Sequence, residues 1–121
     1  MIDGLDKLMQ FQTEALRLRS YRQELLSANI ANSDTPNYKA VDFDFAQALK
    51  EAQVPQAPHS SGGADASPPL QYRVPAQSSL DGNSVEMDAE RAKFADNTVR
   101  YEAAMRVLSA QIKTMLAAVQ G

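Results

Sequence analysis

The C-terminal third of the sequence carries a heptad repeat of apolar side chains, and this repeat constrains the fold more than any other feature. From Phe94 onward the large side chains recur in alternating steps of four and three residues, the spacing of a helix that packs on another helix. The predicted helix runs from Met87 to Val119 and is about 50 Å long. Only Thr98 is not clearly apolar in this seam, which comprises Phe94, Thr98, Tyr101, Met105, Leu108, Ile112, Met115 and Val119.

A second long helix is predicted at the other end of the chain, from Asp3 to Ala31. At 1.5 Å per residue it would be about 43 Å long. Its apolar residues form two adjacent stripes and therefore a wide face, which suits packing against more than one neighbour. The first stripe is Leu8, Phe11, Ala15, Leu18, Tyr21, Leu25 and Ala28, and the second is Leu5, Met9, Leu16, Leu26 and Ile30.

The first helix is predicted to stop within the stretch from Leu25 to Tyr38. Asn32, Ser33 and Asp34 offer side chains that compete with helix hydrogen bonds, and Pro36 lacks the amide donor that a helix needs. By local chemistry alone this is an ordinary helix end followed by a turn. The whole string is more specific, because it resembles the signature of the bacterial flagellar rod and hook proteins. The residues that carry the resemblance are Asn29, Ile30, Ala31, Asn32, Thr35, Pro36 and Tyr38. Where the family often has Gly, this chain has Asn37, which also tolerates a left-handed backbone.

A second turn is predicted just before the C-terminal helix. Asp81 and Gly82 are a turn signal, and Asn83 with Glu86 predicts a capping box at the start of that helix. A calcium loop is the sharper alternative, but Val85, Glu86 and Ala92 stand where an EF-hand needs Asp or Asn, Gly and Glu. The element also resembles the D-G-N-x-V element that precedes the C-terminal helix of the same family, here Asp81, Gly82, Asn83 and Val85.

The middle of the chain has weaker signals. A short helix capped by Asp42 or Asp44 is predicted to end near Glu51, with Phe43, Phe45, Ala46 and Leu49 on its buried side. The following stretch is rich in Pro, Gly and Ser and is predicted to be disordered or extended, with His59 as a solvated linker residue. Alternation of Leu70, Tyr72 and Val74 with polar residues predicts a short extended segment.

The predicted fold class is therefore mainly all-α, with two long terminal amphipathic helices in a coiled-coil-like pair and a polar, partly disordered or short-β middle segment. The predicted organisation has four parts: the N-terminal long helix at 1–34, a turn and short helix at 35–53, a flexible segment with a short extended stretch at 54–80, and a turn with the C-terminal long helix, paired with the first, at 81–121. With 7% aromatic residues and no Trp, a large core is not expected. The apolar faces must then be buried by something else.

Composition excludes several classes of function. The net charge of −3 argues against nucleic acid as the main partner, and the absence of cysteine rules out disulfides and thiolate ligands. There is one histidine, no Gly-rich phosphate loop and no pair of carboxylates in a plausible cleft. We predict no enzyme activity, no catalytic residue, no cofactor and no metal site. No apolar run approaches the roughly 18 residues of a membrane span, and the N-terminus has no signal-peptide pattern.

The resemblance implies a structural subunit of the flagellar basal body, in which terminal helices pack side by side into a hollow axial tube that transmits torque and lets exported subunits pass. It implies partners among copies of the chain, other rod proteins, the basal-body adaptor protein FliE and the export gate. It also implies a place in the periplasmic rod, reached through the flagellar type III apparatus without a cleaved signal. A soluble coiled-coil adaptor or export chaperone that forms a closed dimer stays open as the alternative. The residues expected to form the subunit-packing faces are Leu18, Leu25, Ile30, Tyr101, Met105, Leu108, Ile112 and Met115.

Overall fold

The computed structural model describes residues 2–53, 68–73 and 80–121. Its elements are two long helices, a short one, and two short strands: α1 (Ile2–Ala31), β1 (Val41–Asp42), α2 (Phe45–Ala52), β2 (Gln71–Tyr72) and α3 (Met87–Gln120). Most of the predicted flexible segment, including His59 and Val74, lies outside the described residues.

The two long helices pack against each other in antiparallel directions. Near the end of α1, Asn29 donates a hydrogen bond to Glu90 near the start of α3 (3.0 Å), and further back Gln23 donates to Thr98 (2.7 Å). The predicted pair of long terminal helices is confirmed, and so is the mainly helical fold class.

The short helix α2 begins where residue type predicted. Asp44 is its N-cap and accepts a hydrogen bond from the Gln47 amide (3.1 Å), which satisfies one of the free donors of the first turn. Phe43 and Ala48 are buried against Leu18 of α1, and the rings of Phe43 and Tyr21 stack with centroids 5.5 Å apart. The predicted buried face was wrong in one position: Ala46 is exposed, and the buried alanine is Ala48.

The two short strands, β1 and β2, form a two-stranded antiparallel sheet. Val41 pairs with Tyr72, and Asp42 pairs with Gln71. The extended segment around Tyr72 was predicted, whereas its partner strand at Val41–Asp42 was not. The predicted order of elements omitted β1 because two residues are too short for alternation to be recognised.

The predicted seam of α3 is half right as a contact between the helices of one chain. Phe94, Tyr101, Leu108 and Met115 are half-buried on the side that faces α1. The other predicted row is largely exposed, with exposed fractions of 47% for Met105, 40% for Ile112 and 85% for Val119. Its place is taken by residues one position earlier in the chain, which also recur every seven residues: Glu90, Asn97, Ala104 and Gln111.

Candidate functional site

The stop of α1 is built by its own polar side chains. The Asn32 side chain donates to the Ala28 carbonyl (2.8 Å), and its oxygen accepts from the Thr35 hydroxyl (3.1 Å). After exposed Pro36, Asn37 adopts a left-handed backbone with φ of 66°, as its residue type predicted. These residues turn the chain back toward α1.

Asn29 is the centre of the returning chain. It is fully buried, and its side chain uses every hydrogen-bonding group it has. The amide nitrogen donates to the Val41 carbonyl (2.8 Å) and to Glu90 (3.0 Å), and the amide oxygen accepts from the Val41 amide (3.1 Å) and the Tyr38 hydroxyl (3.2 Å). One side chain of α1 thus holds both the start of β1 and the start of α3.

Asn83, which lies about 50 residues further along the chain, binds the turn that follows α1. Its amide nitrogen donates to the carbonyl oxygens of Asn32, Ser33 and Thr35 at 2.9, 3.0 and 2.7 Å. Its amide oxygen accepts from the half-buried Val85 (2.8 Å). The predicted capping box at α3 was therefore wrong. The N-cap of α3 is Glu86, and Asn83 instead binds three carbonyls of the turn that follows α1.

Gly82 is required beside this cap. Its φ of 73° lies in the left-handed region, and a Cβ built there would lie 2.4 Å from the Asn37 side-chain oxygen. The Asn37 amide in turn donates to the Asp81 carbonyl (2.8 Å). The two turns predicted separately, at 32–38 and 81–85, therefore form one packed unit.

A chain of half-buried charges, which ends at the buried Glu90, ties the small sheet to this unit. Arg22 donates two hydrogen bonds to Asp42 (3.1 Å each), and Arg73 of the β2 end bridges Asp42 and Glu90. The Glu90 residue is 1% exposed and also accepts from Asn29, so both of its oxygens are occupied. We call the unit formed by residues 29–42, 71–73 and 81–90 the junction.

Asp42 stays charged in this setting. Burial on its own would raise the pKa of the Asp42 carboxyl, but hydrogen bonds from Arg22 and the Phe43 amide and the positive charges of Arg22 and Arg73 outweigh it. The net result is a lowered pKa for Asp42. The ionised carboxylate is therefore the form that the fold stabilises.

One more buried polar residue lies beyond the junction. Asn97 is fully buried and donates to the Arg19 carbonyl (2.9 Å) and the Gln23 side chain (2.7 Å). The guanidinium of Arg19 lies 3.7 Å from the centre of the Phe45 ring. Contact between α1 and α3 thus includes buried hydrogen bonds as far along as Arg19 and Asn97.

Toward the chain ends the helix pair changes character. We call residues 4–11 of α1 and 105–120 of α3 the open end. Large apolar side chains are exposed on it, with exposed fractions of 42% for Leu5, 43% for Leu8, 36% for Phe11, 47% for Met105, 40% for Ile112 and 53% for Leu116. The amide oxygen of Gln111 is buried there and has no hydrogen-bond partner among the described residues.

The predicted packing residues are distributed over both regions. Leu18 packs inside the chain against Phe43, and only Met105 and Ile112 are clearly exposed. The others are half-buried: Leu25, Ile30, Tyr101, Leu108 and Met115. Of the motif residues, Asn29, Asn32, Tyr38 and Asn83 meet in the junction, whereas Ala31 and Pro36 are exposed.

Sequence reasoning missed Asp42, Arg73 and Glu90 as junction residues, and it missed Asn97 as a buried contact between α3 and α1. The seven-residue spacing of Glu90, Asn97 and Gln111 was a usable signal, because it marks a second row of α3 one position ahead of the apolar one. Arg73 gave a weaker signal, as the charged neighbour of Tyr72 in an alternating segment.

Two findings limit the chemistry of the described part of the chain. Across residues 2–53, 68–73 and 80–121, no group of three or more His, Asp or Glu side chains is placed to hold a metal ion. None of the helices described there has the length and apolar character that crossing a membrane requires.

Comparison with known proteins agrees with the two motifs. Residues 9–39 match the family described as Flagella basal body rod protein. The flagellar basal body rod protein FlgB of Salmonella typhimurium is 47% identical over 100% of this chain and 99% of the relative. FlgB of Escherichia coli K12 is 46% identical over 99% of this chain and 98% of the relative, and FlgB of Cereibacter sphaeroides is 42% identical over 98% of each.

A helix pair closed by this junction and matched over its full length to such relatives defines a flagellar basal body rod protein. Within that class, the chain belongs to the FlgB family. It is a structural subunit of the proximal flagellar rod and not an enzyme, and it assembles with other rod proteins.

Proposed function

We propose that the chain builds the rod by packing the exposed apolar residues of its open end against neighbouring subunits. The observation that carries this proposal is the set of large apolar side chains left at 36–85% exposure on both helices of that end. Covering them yields roughly 25 cal/mol per Å² of buried apolar surface. Contacts between unlike faces that do not close into a ring generate a helical array, so the terminal helices would line a hollow axial tube.

The mechanical role follows from the same division of the molecule. Torque passes through a subunit only if its parts keep their relative positions, and the buried hydrogen bonds of Asn29, Asn83 and Glu90 favour such rigidity. The tube would leave a central channel for exported subunits. Packing roles for Leu18, Leu25, Ile30, Tyr101, Leu108 and Met115 stay predictions, and we give Met105 and Ile112 the direct contacts because they are exposed.

The partners in this proposal are copies of the chain and, at the proximal end, the adaptor protein FliE and the export gate. Support for the two named neighbours comes from membership of the family and from the proximal position in the rod.

The test places a charge on the open end without disturbing the junction. Ile112→Asp introduces a carboxylate on the exposed row, and Ala110→Asp is the matched control, since two residues turn about 200° around a helix. We expect Ile112→Asp to lower incorporation into detergent-extracted basal bodies at least about tenfold, because burying an unpaired charge costs several kcal/mol. Mass spectrometry of the extracted bodies and swimming in soft agar report the result.

Normal incorporation of Ile112→Asp would contradict the proposed contact. A stable closed dimer of the unmodified chain, with no incorporation into basal bodies, would instead favour the adaptor or chaperone alternative.

A further inference from the structure

The apolar row of α3 is poorly suited to fixing how far α3 is shifted along α1. Phe94, Tyr101, Leu108 and Met115 follow one another at seven-residue intervals and are all large and half-buried. A shift of one heptad would put each in the place of another, and swaps between large apolar residues are the best tolerated changes in a core. The apolar contact therefore discriminates weakly between the observed register and its neighbours.

The polar row has the opposite property. Its members at the same intervals are Glu90, Asn97, Ala104 and Gln111, which differ in charge and in hydrogen-bonding groups. Glu90 is 1% exposed and Asn97 is fully buried, so each must find its partners inside the chain. In a shifted register at least one of them would be buried without its partners.

The partners themselves belong to defined positions of other elements. Glu90 meets Asn29 of α1 and Arg73 next to β2, while Asn97 meets a main-chain carbonyl, that of Arg19. After a shift of one heptad, Glu90 would no longer lie opposite the Asn29 side chain. Asn83 adds a third constraint four residues before α3 begins, because it binds carbonyls of the turn that directly follows α1.

We propose that the register of the two long helices is set by the buried polar residues Asn83, Glu90 and Asn97, and not by the apolar seam. These are positioning residues. By fixing the axial offset of α3 on α1, they determine at which height Met105 and Ile112 are presented to whatever packs on the open end. Arg73, which follows β2, forms an ion pair with Glu90, so the offset also depends on the position of the small sheet.

Register is measured by cross-linking the full-length chain, which contains no native cysteine. Gln23→Cys with Thr98→Cys reports the observed register, because these two side chains are in contact (2.7 Å). Gln23→Cys also removes one hydrogen-bond partner of Asn97, but it does so equally in every reporter pair, so the yields are compared on one background. Gln23→Cys with Arg91→Cys, or with Met105→Cys, reports a shift of one heptad in either direction. A short bifunctional thiol reagent gives the yield of each pair, and circular dichroism gives the helix content.

The polar variants are Glu90→Leu combined with Arg73→Leu, Asn97→Leu, and Asn83→Asp, which is isosteric but cannot donate to the three carbonyls. Tyr101→Leu and Leu108→Met are the matched changes in the apolar row. We expect each polar variant to lower the 23–98 yield relative to the shifted pairs by about threefold or more, as loss of one buried hydrogen-bonding partner allows. The apolar variants should keep the original yields.

Three results would overturn the proposal. The first is a 23–98 yield that does not support the observed register: either it is unchanged in all polar variants, or that pair fails to link in the otherwise unmodified chain. The second is an equal shift in the apolar variants. The third is loss of helix content in the polar variants without any gain in the shifted pairs, which would reduce these residues to a general stabilising role.

Discussion

The two ends of the same helix pair differ in the chemistry of their side-chain contacts. At the junction Asn29 and Ala40 are completely buried, and their polar groups form hydrogen bonds with fixed partners. At the open end Leu8 and Ile112 are about two-fifths exposed, and the side chains around them are apolar. Hydrogen bonds demand a particular geometry, whereas apolar burial is non-directional. The difference teaches that the chain completes one end of its fold internally, and in the function we propose the other end is completed by neighbours.

This division suits a subunit that must have one shape and several contacts. A neighbour of the same or of another rod protein can cover an apolar face without matching donors to acceptors. The junction has no such freedom, because Asn29, Asn83 and Glu90 are buried and each uses its polar groups inside the chain. Shape is thus defined where polar groups are buried, and in the proposed function assembly uses the apolar surface.

The largest predicted effect is at the centre of the junction. Asn29→Leu keeps the size of the side chain but removes four hydrogen bonds and leaves the Glu90 carboxylate and both polar groups of Val41 short of partners. We expect a loss of about 3–5 kcal/mol in the free energy of unfolding. Urea unfolding followed by circular dichroism measures it. Gln10→Leu, at an exposed position of the open end, is the control and should change stability by about 0.5 kcal/mol or less. Similar losses in the two variants would erase the distinction between the ends.

A smaller effect is predicted from the same substitution, Leu→Ala, made near each of the two ends of α1. Leu26→Ala removes a side chain with no exposed surface and should cost about 2–5 kcal/mol, whereas Leu8→Ala removes one that is 43% exposed and should cost about 1 kcal/mol. The same unfolding experiment compares them. In assembled rods the difference between the two stability costs should become smaller, because neighbours would cover Leu8. Equal costs in the isolated chain would show that the open end is already packed.

The helices themselves were readable from the sequence because periodicity and capping are local. The spacing of Phe94, Tyr101 and Leu108 predicted α3, and the residue types of Asp44 and Asn37 predicted a cap and a left-handed backbone. Each of these properties is decided within about one or two helical turns. For that reason the structure contains the helix, the cap and the left-handed residue that these local signals predicted.

The junction was not readable to the same extent, because its partners are distant in sequence. Asn83 looked like the start of a capping box, yet its amide binds carbonyls about 50 residues earlier. Arg73 and Glu90 meet only when the small sheet is docked. In α3 the apolar pattern located the correct helix but chose Met105 and Ile112 over Ala104 and Gln111, since hydrophobicity alone does not favour a polar residue as an inward one.

The smallest predicted effect is a pH dependence confined to the junction. The pKa of Asp42 is lowered in the folded chain, because hydrogen bonds and charges from Arg22 and Arg73 outweigh the effect of burial. The ionised carboxylate therefore stabilises the fold at pH values above the ordinary aspartate value of 3.8, and this contribution is lost as the pH falls toward and through the lowered pKa. We expect the urea midpoint to fall between pH 6 and pH 3, and Asp42→Asn to flatten part of that fall. Asp96→Asn, in an exposed pair with Arg100 on α3, is the matched control and should leave the slope unchanged. If both variants flattened the slope equally, the pH dependence would reflect net charge, and the ion pairs of the junction would lose their special role.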